Sequence, residues 1–168
     1  MSLVLIAHNL RSAHNVGSLL RTAEGLGVTV ILSGYTPYPL LPQDDRLPHL
    51  SAKTIKEISK TALGAELSPV WSRQVDITAV VNKLKADGYT IYALEQTDRS
   101  TSLPEAELPA KTALIVGREV EGVEAAVLAL ADQHIEIPMF GQKESFNVVQ
   151  AAAMAMYHWR FQSTFKRK

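Results

Sequence analysis

The chain has 168 residues, 46% of them hydrophobic, with 17 basic and 17 acidic side chains and no cysteine. That length and apolar fraction fit one packed domain over residues 1–168, and the missing thiols exclude disulfides and thiolate chemistry. Zero net charge excludes coating nucleic acid by bulk basicity but leaves a local patch open. No apolar run reaches the ~20 residues of a membrane span, and residues 1–7 lack the basic start of a signal peptide. A cytoplasmic protein is expected.

Short branched apolar runs alternate with runs of helical period. Leu3–Ala7 reads as a strand. Asn15–Leu26 reads as a helix with Val16, Leu19, Leu20, Ala23 and Leu26 on one face and Gly27 as its stop. Val28–Leu32 is the next strand. Residues 34–50 hold four prolines and no period, which predicts a long loop. Thr54-Ile-Lys-Glu57 has the form of a capping box opening a short helix into Leu63, and Val70 and Trp71 mark a short strand. Asp76 is the expected N-cap of a helix through Ala86 with Ile77, Val80, Val81 and Leu84 as its stripe. Tyr89–Leu94 is a strand, 96–111 a polar loop, Thr112–Val116 a buried strand, Val123–Ala131 a helix and Ile135–Ile137 a strand. A last helix runs from Asn147 to Phe165 and is apolar almost all round from Val148 to Tyr157. Such a helix is covered on several sides, by its own core or by a second subunit. The alternation makes the fold α/β, a mostly parallel sheet flanked by helices.

Ligands of such sheets bind outside the carboxyl ends of the strands, which singles out three loops. The first, Asn9–Ala23, places Asn15 and Gly17 at a helix start and Arg21 six residues after Asn15. Taken alone, these are met by a capping Asn, a packing Gly and a surface Arg. The second, Ala113–Val123, puts two glycines, Gly117 and Gly122, around Arg118, Glu119 and Glu121. Such a turn exposes backbone donors and acceptors, and Glu119 is expected to bond inward while Glu121 faces solvent. The third, Ile137–Tyr157, carries Gly141, Ser145 and Asn147 into the last helix. Ser145 has the character of a plain N-cap, whereas Asn147 before an apolar helix calls for polar partners. Gly25-Leu26-Gly27 ends a helix and is no dinucleotide fingerprint. The five histidines show no ligand spacing, so no metal is expected.

In this order, the three stretches resemble the motifs of the SpoU/TrmH branch of the SPOUT RNA methyltransferases. The resemblance implies a deep trefoil knot near the C-terminus and a homodimer. It further implies S-adenosylmethionine as cofactor and methylation of the ribose 2′-hydroxyl of tRNA or rRNA; of the two, a compact target such as a tRNA arm is expected. It puts the catalytic arginine at Arg21 and the other polar motif positions at Asn15, Glu119, Ser145 and Asn147. Cofactor contacts carry over to Leu94, Gly117, Glu119, Ile137, Met139, Ser145 and Phe146. One departure stands in the third motif, where Ser145-Phe146-Asn147 replaces the usual Ser-Leu-Asn. RNA contacts are expected from Arg11, Arg46, Lys53, Lys56, Arg118, Lys143 and the basic tail Lys166-Arg167-Lys168. The competing reading is a non-catalytic RNA-binding protein of the same fold.

Overall fold

The computed structural model describes residues 1–44, 46–68 and 70–165, with the side chains of Leu50 and residues 163–165 set aside. The basic tail Lys166-Arg167-Lys168 lies outside the described residues. Seven strands form one sheet: β1 Ser2–His8, β2 Thr29–Ser33, β3 Trp71–Arg73, β4 Thr90–Leu94, β5 Thr101–Ser102, β6 Lys111–Val116 and β7 Gln133–Glu136. Their spatial order is β3-β2-β1-β6-β4-β7-β5, and every pair is parallel.

Among the described residues, five α-helices cover the sheet: α1 Ala13–Leu26, α2 Pro48–Ala62, α3 Ile77–Ala86, α4 Ala125–Leu128 and α5 Val148–Phe165. The period-2 alternation of β1 sends Leu3, Leu5 and Ala7 into one core and Val4 and Ile6 into another. The first core is closed by α1, α2 and α5, through side chains such as Leu19, Leu20, Ile58, Ala155 and Trp159. The second is closed by α3 and α4, through Val80, Val81, Leu84 and Val127. Burial on both faces explains why the central strands read as continuous apolar runs.

Several boundaries moved. The first helix is capped by Ser12, whose hydroxyl accepts from the Asn15 amide at 3.2 Å, so Asn15 is inside the first turn and its side chain is released for other work. The helix expected from the capping box at Thr54 begins earlier, at Pro48, because a proline with its fixed φ suits a first helical position; Thr54 lies mid-helix. The loop 96–111 contains the short strand β5 and a 3-10 turn, Leu103–Glu105. The helix expected over Val123–Ala131 is one turn, α4. Asp76 caps α3 as expected, accepting from the Thr78 and Ala79 amides.

Helix α5 is less uniformly apolar than its sequence reads. Ala152, Ala155, Met156 and Trp159 are buried, but Tyr157 is 51% exposed. Its far end is sewn down by polar bonds. Trp159 Nε1 donates to the Pro109 carbonyl (2.9 Å), Gln162 exchanges two bonds with the Leu108 backbone (3.0 and 2.6 Å), and Arg160 donates to the carbonyls of Leu26 and Gly27 at the end of α1.

Candidate active site

The loops after β1, β6 and β7 and the residues after β4 meet at the carboxyl edge of the sheet. Strands β1 and β6 are neighbours there, although the chain leaves β1 toward β2 on one side and β6 pairs with β4 on the other. This is the switch in strand order where open α/β sheets bind ligands.

Glu119 is the junction of the first two loops. Its carboxylate accepts from the backbone N–H of Arg11 (3.1 Å) and Ser12 (3.0 Å) and from Asn15 Nδ2 (3.0 Å). Helix α1 has no acidic residue in its own first turn, so Glu119 supplies from another loop the negative charge that a helix N-terminus favours. Burial raises the Glu119 carboxyl, but the bonds from Asn15, Ser12 and Arg11 outweigh it, and the group sits below its ordinary value. Asn15 Oδ1 faces Asn147 Nδ2 at 3.5 Å, the long limit of a hydrogen bond. Asn147 Oδ1 in turn accepts from the Val149 amide at 2.8 Å, an N-cap geometry. Asn147, not Ser145, therefore takes the capping place at the start of α5. One polar chain, Glu119–Asn15–Asn147, thus ties the three motifs together.

The second motif closes on itself. Arg118 and Gly122 exchange backbone bonds of 3.0 and 3.1 Å. Gly122 has φ +70°, and a Cβ there would lie 2.1 Å from Glu95 Oε2, so only glycine fits without displacing that carboxylate. Glu95 accepts from the Val123 amide (2.7 Å) and the Gln96 amide (3.0 Å). It follows β4 directly, and its position at a strand's carboxyl end was the available signal for a residue that the motifs did not mark.

These loops surround a cavity of about 280 Å³, close to the lower bound for small-molecule sites. Its walls include Leu94, Gly117, Glu119, Ile137, Ser145 and Phe146, six of the seven residues expected to contact a cofactor. Met139 is not among the lining residues: the chain leaves the sheet at β7 and turns to solvent, with Phe140 98% exposed. Five glutamates are among the lining residues, Glu95, Glu119, Glu121, Glu136 and Glu144, against one arginine, Arg118. Such a wall favours a cationic guest. Phe146, 41% exposed, keeps the wall apolar where the motif usually has Leu.

Arg21 does not join this cluster. Six residues beyond Asn15 carry it about 9 Å along α1 and about 120° around it. It is exposed and lines a second, broader hollow with Thr22, Leu103, Met154, Tyr157 and His158. Within one chain Arg21 therefore stands apart from Glu119 and Asn15, the motif positions named with it. The expected RNA contacts also divide. Arg11 pairs with Glu121 (2.6 Å), Arg118 with Glu124 (2.5 Å), and Arg46 with Asp44, while Lys53, Lys56 and Lys143 are exposed.

Beneath the first loop lies a network that no motif indicated. The His8 ring bonds Ser33 Oγ through Nδ1 (2.8 Å), and Asn9 Nδ2 lies 3.0 Å from His8 Nε2 and 2.7 Å from Glu124 Oε1. Burial holds His8 below the usual histidine value. A neutral ring that donates from Nδ1 and accepts at Nε2 satisfies both neighbours.

The model of the SpoU rRNA methylase family matches residues 2–157. A 23S rRNA guanosine 2′-O-methyltransferase of Bacillus subtilis is 32% identical over 160 residues, covering 94% of this chain and 57% of that protein. A 23S rRNA guanosine 2′-O-methyltransferase of Neisseria meningitidis is 29% identical, covering 99% and 61%. The chain thus spans roughly three fifths of the length of these curated relatives. Among solved structures, the SpoU methyltransferase AviRb of Streptomyces viridochromogenes superimposes with a TM-score of 0.78 at 22% identity, covering 99% of this chain and 61% of the other. A structure concerned with 2-OH methylation on tRNA matches with a TM-score of 0.73 at 24% identity over 98% of both chains. With its three motifs joined at one sheet edge and the family model matching almost end to end, the chain belongs to the SpoU/TrmH family of RNA 2′-O-methyltransferases.

Proposed function

We propose that this chain binds S-adenosylmethionine in the first cavity and methylates a ribose 2′-hydroxyl of tRNA, as one SPOUT domain acting in a cytoplasmic homodimer. The observation that carries the reading is the junction of Glu119, Asn15 and Asn147 beside an acidic cavity. The cofactor bears sulfonium and ammonium charges and one carboxylate, a net positive charge that suits a glutamate-rich wall, and a flat ring suits the peptide edges of the Gly117–Gly122 turn between Leu94 and Ile137. When bound, S-adenosylmethionine supplies the methyl group. The stretch from β6 through α5 is read as the family's trefoil knot, the loops after β6 and β7 flanking β4.

The protein's own groups do the rest. Glu119 and Asn15 hold the start of α1 against the turn, and Ser145 and Phe146 form the outer wall. A guanidinium stays protonated, so Arg21 acts by holding the phosphate beside the target ribose and stabilising the developing alkoxide. In one chain Arg21 faces the second hollow, where Tyr157 and Met154 offer apolar surface. We assign that face to the second copy, with Arg21 at the subunit interface. A compact tRNA arm, read through exposed bases and 2′-hydroxyls, suits a chain of zero net charge. The second reading is an rRNA substrate, favoured by the 32% identical relative named for 23S rRNA.

Transfer of labelled methyl to bulk tRNA and to rRNA, with digestion to nucleosides, tests both. A 2′-O-methylnucleoside from tRNA, lost in Arg21→Ala, is expected. Label in rRNA alone selects the second reading, and absence of label in either overturns both.

A further inference from the structure

The loop after β2 and the end of β3 carry a group that the proposed reaction does not use. Arg73, the last residue of edge strand β3, is partly buried with its guanidinium 4.3 Å from the centre of the Tyr38 ring. The guanidinium of Arg46 lies 3.7 Å from the same ring. The two cations differ in their partners. Arg46 is bound to Asp44 and to the carbonyls of Tyr38 and Pro39, and it holds the Asp44 carboxyl well below the usual carboxylate range. Arg73 pairs with no carboxylate among the described residues, and its Nε is buried without a hydrogen-bond partner. An aromatic seat fixes the plane of a guanidinium and lowers the entropy lost when it binds. A fixed cation without an anion is a site prepared for one.

This cation lies on the same sheet edge as the cavity. From the cavity wall, Glu121 accepts from Arg11 (2.6 Å), whose guanidinium is held above its ordinary value by Tyr35 and Glu121. Tyr35 is 54% exposed and held by its amide on Asn9 Oδ1 (3.1 Å). Three residues on, Tyr38 seats Arg73. All these residues follow the carboxyl ends of β1, β2, β3 and β6, so they lie along one sheet edge. Arg73 stands three strand spacings, about 14 Å, from β6.

We propose that this edge is a track for a single RNA strand. Tyr35 stacks a base, and Arg73, on its Tyr38 seat, binds a backbone phosphate a few nucleotides from the one being methylated. The inference rests on the methyltransferase reading above and extends it to how the strand is aligned. Exposed aromatic faces between phosphate-binding cations are how proteins hold single strands.

The test measures binding of tRNA and of a single-stranded oligonucleotide by fluorescence anisotropy over a salt series, together with methyl transfer. Arg73→Ala and Tyr35→Ala are each expected to raise KM for RNA about tenfold, with kcat changed less than twofold and S-adenosylmethionine affinity unchanged. Arg73→Ala should also lower the slope of log K against log salt by about one. Tyr38→Leu, which keeps the charge and removes its seat, should weaken RNA binding by a smaller factor with the salt slope retained. Wild-type RNA affinity and salt slope in Arg73→Ala, with methyl transfer intact, overturn the track and leave the reaction standing. An Arg73→Ala protein that loses a protein partner but not RNA also overturns it. A wild-type protein that neither binds nor methylates RNA removes the reading and the track together.

Discussion

Gly17→Ala is expected to destabilise the protein by about 2–3 kcal/mol, which lowers the melting temperature by about 5–10 °C for a chain of this size. Alanine is the better helix former by about 1 kcal/mol, so propensity alone predicts the reverse. Contact decides the sign. A Cβ at Gly17 would lie 2.2 Å from the Ile58 carbonyl oxygen, 2.2 Å from Thr61 Oγ1 and 3.0 Å from the Ala62 amide. Two of those atoms are backbone of α2, and Thr61 Oγ1 is itself tied to the His14 carbonyl at 2.8 Å. Relief requires α2 to move off α1, opening the core around Leu20 and Ile58. Gly25, on the same helix, meets nothing within 4 Å, so Gly25→Ala should leave stability unchanged or raise it by up to ~1 kcal/mol. Thermal unfolding of the pair checks the account, since equal shifts would mean that the α1–α2 contact is not what requires Gly17.

Glu119→Ala carries the largest effect expected on activity, a fall of about a hundredfold or more. It strands three donors, the amides of Arg11 and Ser12 and Asn15 Nδ2, at the place where the first two motifs join. Because these donors are partly open to water, the stability cost is only about 1–2 kcal/mol. The protein should therefore fold and lose function. Glu119→Gln keeps an acceptor but loses the charge at the helix start, and should fall between. The sign of the pH effect follows from the lowered carboxyl. The ionised form is favoured in the folded state, so its stabilisation is fully present above the usual carboxylate value. It is lost as pH falls through the lowered value, and the unfolding midpoint of Glu119→Gln should be flatter than that of the parent in that acid range. Activity of Glu119→Ala within a few fold of wild type would remove Glu119 from the site.

The architecture was legible because the alternation of apolar runs is strict: β1, α1, β2, α3, β4, β6 and α5 stand within a few residues of their expected bounds. What was misplaced lies where local signals compete. Thr54 and Glu57 satisfy a capping pattern, but Pro48 had already started the helix, and the packing of Ile58 against α1 sustains it. The segment after Val123 has helical composition, but the chain must return to β7, and only one turn forms. For the site, the motifs named Asn15, Glu119 and Asn147, and the fold joins them. It could not be read from spacing that Asn15 bonds across 104 residues to Glu119, because a nearer residue, Ser12, does the capping. Glu95 was signalled only by its place at a strand's carboxyl end, and the bonding of Asn9 to Glu124 by nothing in the pattern, since Val123 and Glu124 are partners distant in sequence. Arg21 was marked as a motif position, and its separation from the cavity is a property of helical geometry around α1.

The most direct measurement is calorimetric titration of the full chain with S-adenosylmethionine, set beside Ala151→Phe. Ala151 lines the cavity from α5, and a phenyl ring there takes up space assigned to the cofactor while leaving Glu119, Asn15 and Asn147 themselves unchanged. With the fold of the variant verified by circular dichroism, the account predicts one cofactor bound per chain by the wild type and at least a tenfold loss in Ala151→Phe. No binding by the wild type, or undiminished binding by the variant, would contradict it.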